Sequence, residues 1–165
     1  VLRQDPNDRD ALLGIAAIAA RNGRADEAAR LYQRLLELDP KDPAALAGLV
    51  AIRGQADPVQ SESRVKNLLA QQPDSASLNF TLGNLYLAQA RWAEAQQAFF
   101  MAFKGEPANP DYAYNLAVSL DHLNQRKAAL DYYRRALTLS SGRPAGFDRQ
   151  EVEARVEALL SAAEQ

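Results

Sequence analysis

The sequence predicts an all-α protein built of stacked helix pairs, and three observations predict it. Pro6, Pro40, Pro73 and Pro107 stand 34, 33 and 34 residues apart, closing the similar phrases LRQDP, LELDP, LAQQP and FKGEP. Inside each interval a second breaker divides the unit into two segments. Between breakers, apolar residues recur at helical spacing, as in Leu12, Ile15, Ala16 and Ala19, and nothing alternates with the two-residue period of a strand.

The first pair is expected over 9–42, with Gly23 taking the left-handed conformation that ends a helix. Asp42-Pro43 opens the second pair, 43–74, as an N-cap followed by a proline whose missing N–H costs nothing in the first turn. Its internal break is Gly54-Gln55-Ala56-Asp57-Pro58, with Asp57 as cap and Pro58 as first helical residue. This pair is one residue short and has Ser61 where the others have alanine. The third pair, 75–109, breaks at Ala90-Arg91, a weaker punctuation than glycine. The fourth, 110–143, opens at Asn109-Pro110 and breaks at Asn124. A last helix over 148–163 is announced by Asp148 as cap with Glu151 three residues on, and gathers Val152, Val156, Leu159 and Leu160 on one face. It is expected to seal the end of the stack. Residues 1–8 read as the tail of a preceding repeat, so 1–165 is expected to be one repeat domain from a longer protein.

The stretch Leu82–Phe99, LGNLYLAQARWAEAQQAF, shows the layout of each pair. Gly83, Ala16 and Ala117 are small where the two helices of a pair are expected to cross closely, opposite Ala95, Ala28 and Ala129. Tyr86, Phe99, Tyr32 and Tyr133 are expected to fill the gaps between neighbouring pairs, as core side chains and not a cofactor box. A period of 34 residues with Leu-Gly-x-x-Tyr, Ala-x-x-x-Phe and a closing proline resembles the tetratricopeptide repeat. The pair from Ala76 to Asn109 carries the pattern best, in Leu82, Gly83, Tyr86, Ala95, Phe99, Ala102 and Pro107, and departs from it at Asn79, where the pattern prefers tryptophan. The resemblance implies a right-handed α-α superhelix of about four helix-turn-helix repeats with a C-terminal capping helix.

Composition excludes several functions. Up to Leu82 there are 10 basic and 11 acidic residues, and from Gly83 onward 9 and 10. Neither half has the footprint of a nucleic-acid or anionic-membrane binder. With no cysteine there is no disulfide, thiolate metal site or cysteine nucleophile. The longest apolar run, Ala11–Ala20, is about half of what spans a bilayer. His122 is the only histidine, and a solvated side chain is expected there. Ser140-Ser141-Gly142 has no base in motif range, and no phosphate-cradling glycine loop occurs. Asp26-Glu27 and Glu151-Val152-Glu153 place carboxylates in first turns, where the helix dipole favours them. No catalytic site, cofactor or metal is expected.

Binding remains. The resemblance implies that first helices line a concave groove, through Asp10, Leu13, Ala17 and Arg21, then Ala44, Ala47 and Ala51, then Ser77, Phe80, Thr81, Asn84 and Ala88, then Asp111, Tyr114, Asn115, Val118 and His122. Relatives that grip chaperone C-terminal carboxylates use a lysine and arginine clamp in such places. Here Leu13, Ala17, Ala47, Ser77 and Thr81 supply none. The expected peptide-binding residues are Phe80, Asn84, Tyr114, Asn115 and Val118, the amides holding an extended backbone and the rings giving an apolar floor. The expected function is a non-catalytic protein–protein interaction scaffold for a peptide or helix of a partner. Alanine- and arginine-rich style points to a bacterium, and Thr81–Tyr86 and Tyr114–Gln125 resemble repeat proteins of pilus-assembly and secretion systems. The alternatives are a regulatory or substrate-recruiting arm of a larger enzyme and, against the near-neutral charge, RNA binding by a helical-repeat code. Self-association and compartment, cytoplasm or periplasm, are left open, as is attachment to the inner membrane through a preceding segment.

Overall fold

The computed structural model describes residues 6–53, 57–142 and 144–162. Among these residues there are nine helices and no strand. In chain order they are α1 (Arg9–Arg21), α2 (Ala25–Leu38), α3 (Pro43–Arg53), α4 (Pro58–Leu69), α5 (Ala76–Ala88), α6 (Trp92–Gly105), α7 (Pro110–His122), α8 (Arg126–Leu139) and α9 (Arg149–Ser161). Residues 1–5 of the expected tail of a preceding repeat, the break residues Gly54, Gln55 and Ala56, Arg143 and the last turn from Ala163 lie outside the described residues.

Helix starts follow the expected chemistry. The Asp8 carboxylate accepts the Ala11 N–H at 2.7 Å, and Asp57 accepts the Gln60 N–H at 3.0 Å. Asn109 Oδ1 caps α7 through the Asp111 and Tyr112 N–H groups. Asp148 caps α9 through Gln150 and Glu151. These satisfy amides that have no intrahelical partner. Turns within pairs use left-handed residues: Gly23 at φ 74°, Asn124 at φ 58° and Ala90 at φ 55°.

The chain forms two compact units, Val1–Thr81 and Leu82–Gln165, and the boundary falls within α5. In the first unit, Leu12, Ala16 and Ala19 of α1 pack with Ala28, Ala29, Tyr32 and Leu35 of α2 and Ala45 and Leu49 of α3. Asp42 is only 2% exposed. Its Oδ1 caps α3 through Ala44 and Ala45, and its Oδ2 accepts Arg9 Nε at 2.6 Å. Burial alone would raise this carboxyl, but the Arg9 hydrogen bond and the capping amides bring it below the usual range.

In the second unit, α7 packs on α6 and α8, and α8 on α9. Its buried side chains include Tyr86, Ala95, Phe99, Ala102, Leu116, Ala117, Ala129, Tyr133 and Val152. One packing detail differs from expectation. Phe99 was expected between pairs, but its ring lies against Gly83 of its own pair, where a Cβ would come to 2.5 Å of Cδ1. The glycine is therefore matched to a ring. Gly48 plays a similar part in the first unit, where a Cβ would come to 2.2 Å of Tyr32 Cζ. On α9, Val152 and Leu159 are buried as expected and Val156 is half-buried, but Leu160 is 36% exposed. Leu160 lies about 100° around the helix from Leu159, beyond the packed stripe.

Candidate protein-binding face

First helices alternate between residues that pack and residues that face outward. In the first unit, Asp10, Ala17, Arg21 and Ala51 are exposed, whereas Leu13, Ala44, Ala47, Ser77 and Phe80 are half-buried. Thr81 departs from its expected place in the groove. It is 4% exposed, and its hydroxyl donates to the Ser77 carbonyl at 2.8 Å, so it offers nothing to a partner. In the second unit, Asn84 is exposed on α5.

On α7, Tyr114, Asn115 and Val118 are each half-buried. Asn115 Nδ2 donates one of its two N–H groups to the Asp111 carbonyl one turn back at 2.8 Å, which leaves its carbonyl oxygen and the second N–H to be offered. The Tyr114 ring stacks on Phe147, centroids 4.7 Å apart and planes 21° apart, with Tyr133 6.2 Å away. Burial first, and then the negative Glu151, push the Tyr114 hydroxyl up. His122 is exposed as expected, but its ring lies flat on Trp92 at 3.6 Å with 3° between planes.

The chain's own C-terminal segment meets this same helix face. The Gly146 N–H donates to Asp111 Oδ1 at 2.7 Å. Arg155 donates from Nε and Nη2 to the two oxygens of Asp121 at 2.6 and 2.7 Å. Asp121, 11% exposed at its side chain, also accepts the Tyr133 hydroxyl at 3.2 Å. The Arg155 hydrogen bond, against burial, holds this carboxyl below the usual range, while burial raises the Tyr133 hydroxyl well above its ordinary value. Sequence reasoning missed Gly146, Phe147 and Arg155 as partners of α7. The period itself was the available clue, because Arg155 stands 34 residues after Asp121, as if α9 were the first helix of one more pair.

The face offers amides, a tyrosine and a valine, with no clustered nucleophile or base. Among the described residues no group of three or more metal-ligating side chains occurs, and no helix is long and apolar enough to cross a membrane.

Comparison with known proteins accords with this repeat architecture. The family model for the tetratricopeptide repeat matches residues 1–43 and 80–144. The TPR repeat-containing protein YpiA of Bacillus subtilis is 25% identical over 157 residues, 94% of this chain and 36% of its own length. Cellulose synthase operon protein C of Xanthomonas axonopodis pv. citri is 32% identical over 117 residues, 70% of this chain and 7% of its own length. The chain thus spans only a part of the curated relatives it matches. The solved structure of PilF from Pseudomonas aeruginosa superposes with a TM-score of 0.77, over 94% of this chain and 69% of that one, at 21% identity, which is a likeness of fold. With its helix pairs, caps and small-residue crossings in register with that repeat, the chain belongs to the tetratricopeptide-repeat family, whose members are generally non-catalytic scaffolds for protein–protein interaction.

Proposed function

We propose that this chain holds an extended peptide or helix of a partner protein on the outward face of its first helices, through Asn84, Asn115 and Val118 with Tyr114 beside them. One observation carries the reading: Asn84 is exposed, and its amide has both donors and an acceptor for a peptide backbone. Asn115 adds an acceptor, and Val118 with the Tyr114 ring adds apolar area, the kind of surface where interface energy concentrates. Phe80, half-buried on α5 in the first unit, stays in the proposal as an apolar neighbour along its own helix.

The narrower proposal, a role in bacterial pilus or secretion-system assembly, rests on the phrases Thr81–Tyr86 and Tyr114–Gln125. A regulatory or substrate-recruiting arm of a larger enzyme is the competing reading. Sequence flanking this segment separates the two: a catalytic domain favours the arm.

The binding reading is tested by photo-crosslinking, with the crosslinkable residue at position 84 or 118 and, as control, at Gln97 on the outer face of α6. Partner adducts from positions 84 and 118 and none from 97 are expected. Adducts from position 97 alone would remove the proposed face.

A further inference from the structure

The second helix pair breaks the repeat pattern at the two positions expected to be small where its helices cross. Where the other pairs carry Ala16, Gly83 and Ala117, it carries Val50. Where they carry Ala28, Ala95 and Ala129, it carries Ser61. A branched side chain and a hydroxyl need more room than two small apolar groups. The structure holds a cavity of about 220 Å³ at this place, bounded by α2, α3 and α4.

The cavity has an apolar floor and a cationic rim. Leu46, Leu49 and Val50 line it at 3%, 6% and 7% exposure. Arg53, in the last turn of α3, and Arg64, on α4, stand at its edge. Neither guanidinium has an ion-pair partner among the described residues. The carboxylate in the wall, Asp57, accepts the Gln60 N–H as the cap of α4. The hydroxyl of Ser61 is a further sign. Thr81, Ser119, Thr138 and Ser161 each turn their hydroxyl back to the carbonyl four residues earlier. Half-buried Ser61 makes no such bond among the described residues, and it lines the cavity.

We propose that this cavity binds an organic carboxylate with a compact apolar body of leucine or phenylalanine size. The floor takes the apolar body, which gains by leaving water. Arg53 and Arg64 take the carboxylate, since a guanidinium fork matches its two oxygens and is less strongly hydrated than an ammonium. The Ser61 hydroxyl donates to the same group. A free acid and the C-terminal residue of a peptide share this chemistry. The site shares no residue with the α7 face and does not depend on it.

The test titrates the 165-residue chain with four probes, followed by amide chemical shifts. The probes are N-acetyl-L-leucine, N-acetyl-L-leucinamide, and a pentapeptide ending in leucine with either a free or an amidated terminus. N-acetyl-L-leucine is expected to bind with a Kd on the order of millimolar, shifting amides of α3 and α4, and the amide at least about tenfold more weakly. Arg53→Gln and Arg64→Gln should each weaken binding roughly tenfold, and Ser61→Leu, which fills the cavity, should abolish it. Should Ser61→Leu fail to fold, the two rim variants, at exposed positions, carry the test. Peptide binding that requires the free terminus supports the site with a chain end as its source. Binding of the free acid alone supports it with a small molecule. Equal shifts from acid and amide, or undiminished binding in an Arg53→Gln, Arg64→Gln double variant, would overturn the proposal.

Discussion

The ring of Phe99 lies against Gly83 so closely that a Cβ on that glycine would stand 2.5 Å from both Cδ1 and Cε1. Phe99 is wholly buried, so it has no free direction in which to yield. Gly83→Ala should therefore cost about 1–3 kcal/mol by overpacking, read as a lower midpoint in urea. Combining it with Phe99→Leu should give a smaller total loss than the two single losses added, because the smaller side chain makes room. Additive losses would mean that the two positions do not meet.

Ala90 offers the opposite opportunity. It closes the turn between α5 and α6 at φ 55°, a region where a Cβ costs roughly 1–2 kcal/mol. Ala90→Gly should relieve most of that cost, with about 0.5–1 kcal/mol surviving the greater entropy of glycine in the unfolded chain. Asn124→Gly, at the matching turn after α7, should change little, since asparagine tolerates this conformation. Thermal melting of both variants checks the contrast.

The bidentate contact from Arg155 makes Asp121 a source of acid sensitivity. Its carboxyl is lowered in the folded protein, first by the Arg155 hydrogen bond. A lowered carboxyl contributes stability that is complete above the ordinary carboxylate range and is lost as pH falls through the folded value. Arg155→Met should therefore cost about 1 kcal/mol near neutrality, a modest figure because the arginine is 49% exposed. The gap between parent and variant should narrow as pH falls below about 4. A gap constant from neutral pH to about 2 would show that the pair contributes no linkage.

Tyr114 tests how firmly the last helix is held. An outward groove residue could be removed without loss of stability, but this ring is stacked on Phe147. Phe147→Ala should loosen α9, raising hydrogen exchange in Arg149–Ser161 while leaving α1 and α2 protected. Tyr114→Ala should do the same, so any loss of partner binding in that variant has to be read beside Asn84→Ala, which touches no such stack. Unchanged exchange in α9 would show that the stack adds nothing to its docking.

Much of this fold is written locally. Prolines at fixed intervals, Asp42, Asp57, Asn109 and Asp148 as caps, and Gly23 and Asn124 as turn residues act within a few positions of themselves, so they were legible in the sequence. Partners across pairs were not. Gly48 gave no sign of its role because the ring that needs its space, Tyr32, belongs to the preceding pair. Phe99 was placed between pairs because the periodic pattern gives a side chain's face but not its rotamer. At the candidate site, sequence identified the helices and the outward amide of Asn84. It did not show that Asn115 spends one of its two donors on its own helix, that Thr81 turns inward, or that residues 146, 147 and 155 reach α7.

Arg9 and Asp42 join events that the chain otherwise separates by a whole repeat. The carboxylate that starts α3 is the one that holds α1, and it is almost entirely removed from water. If α1 peeled away alone, Asp42 would be left as a buried charge without its cation, which is a costly state. Loosening of the first pair is thereby coupled to the beginning of the second. Amides at the head of α3 should lose their slow exchange in the same opening event as those of α1, so that these two pairs behave as one cooperative unit instead of fraying helix by helix.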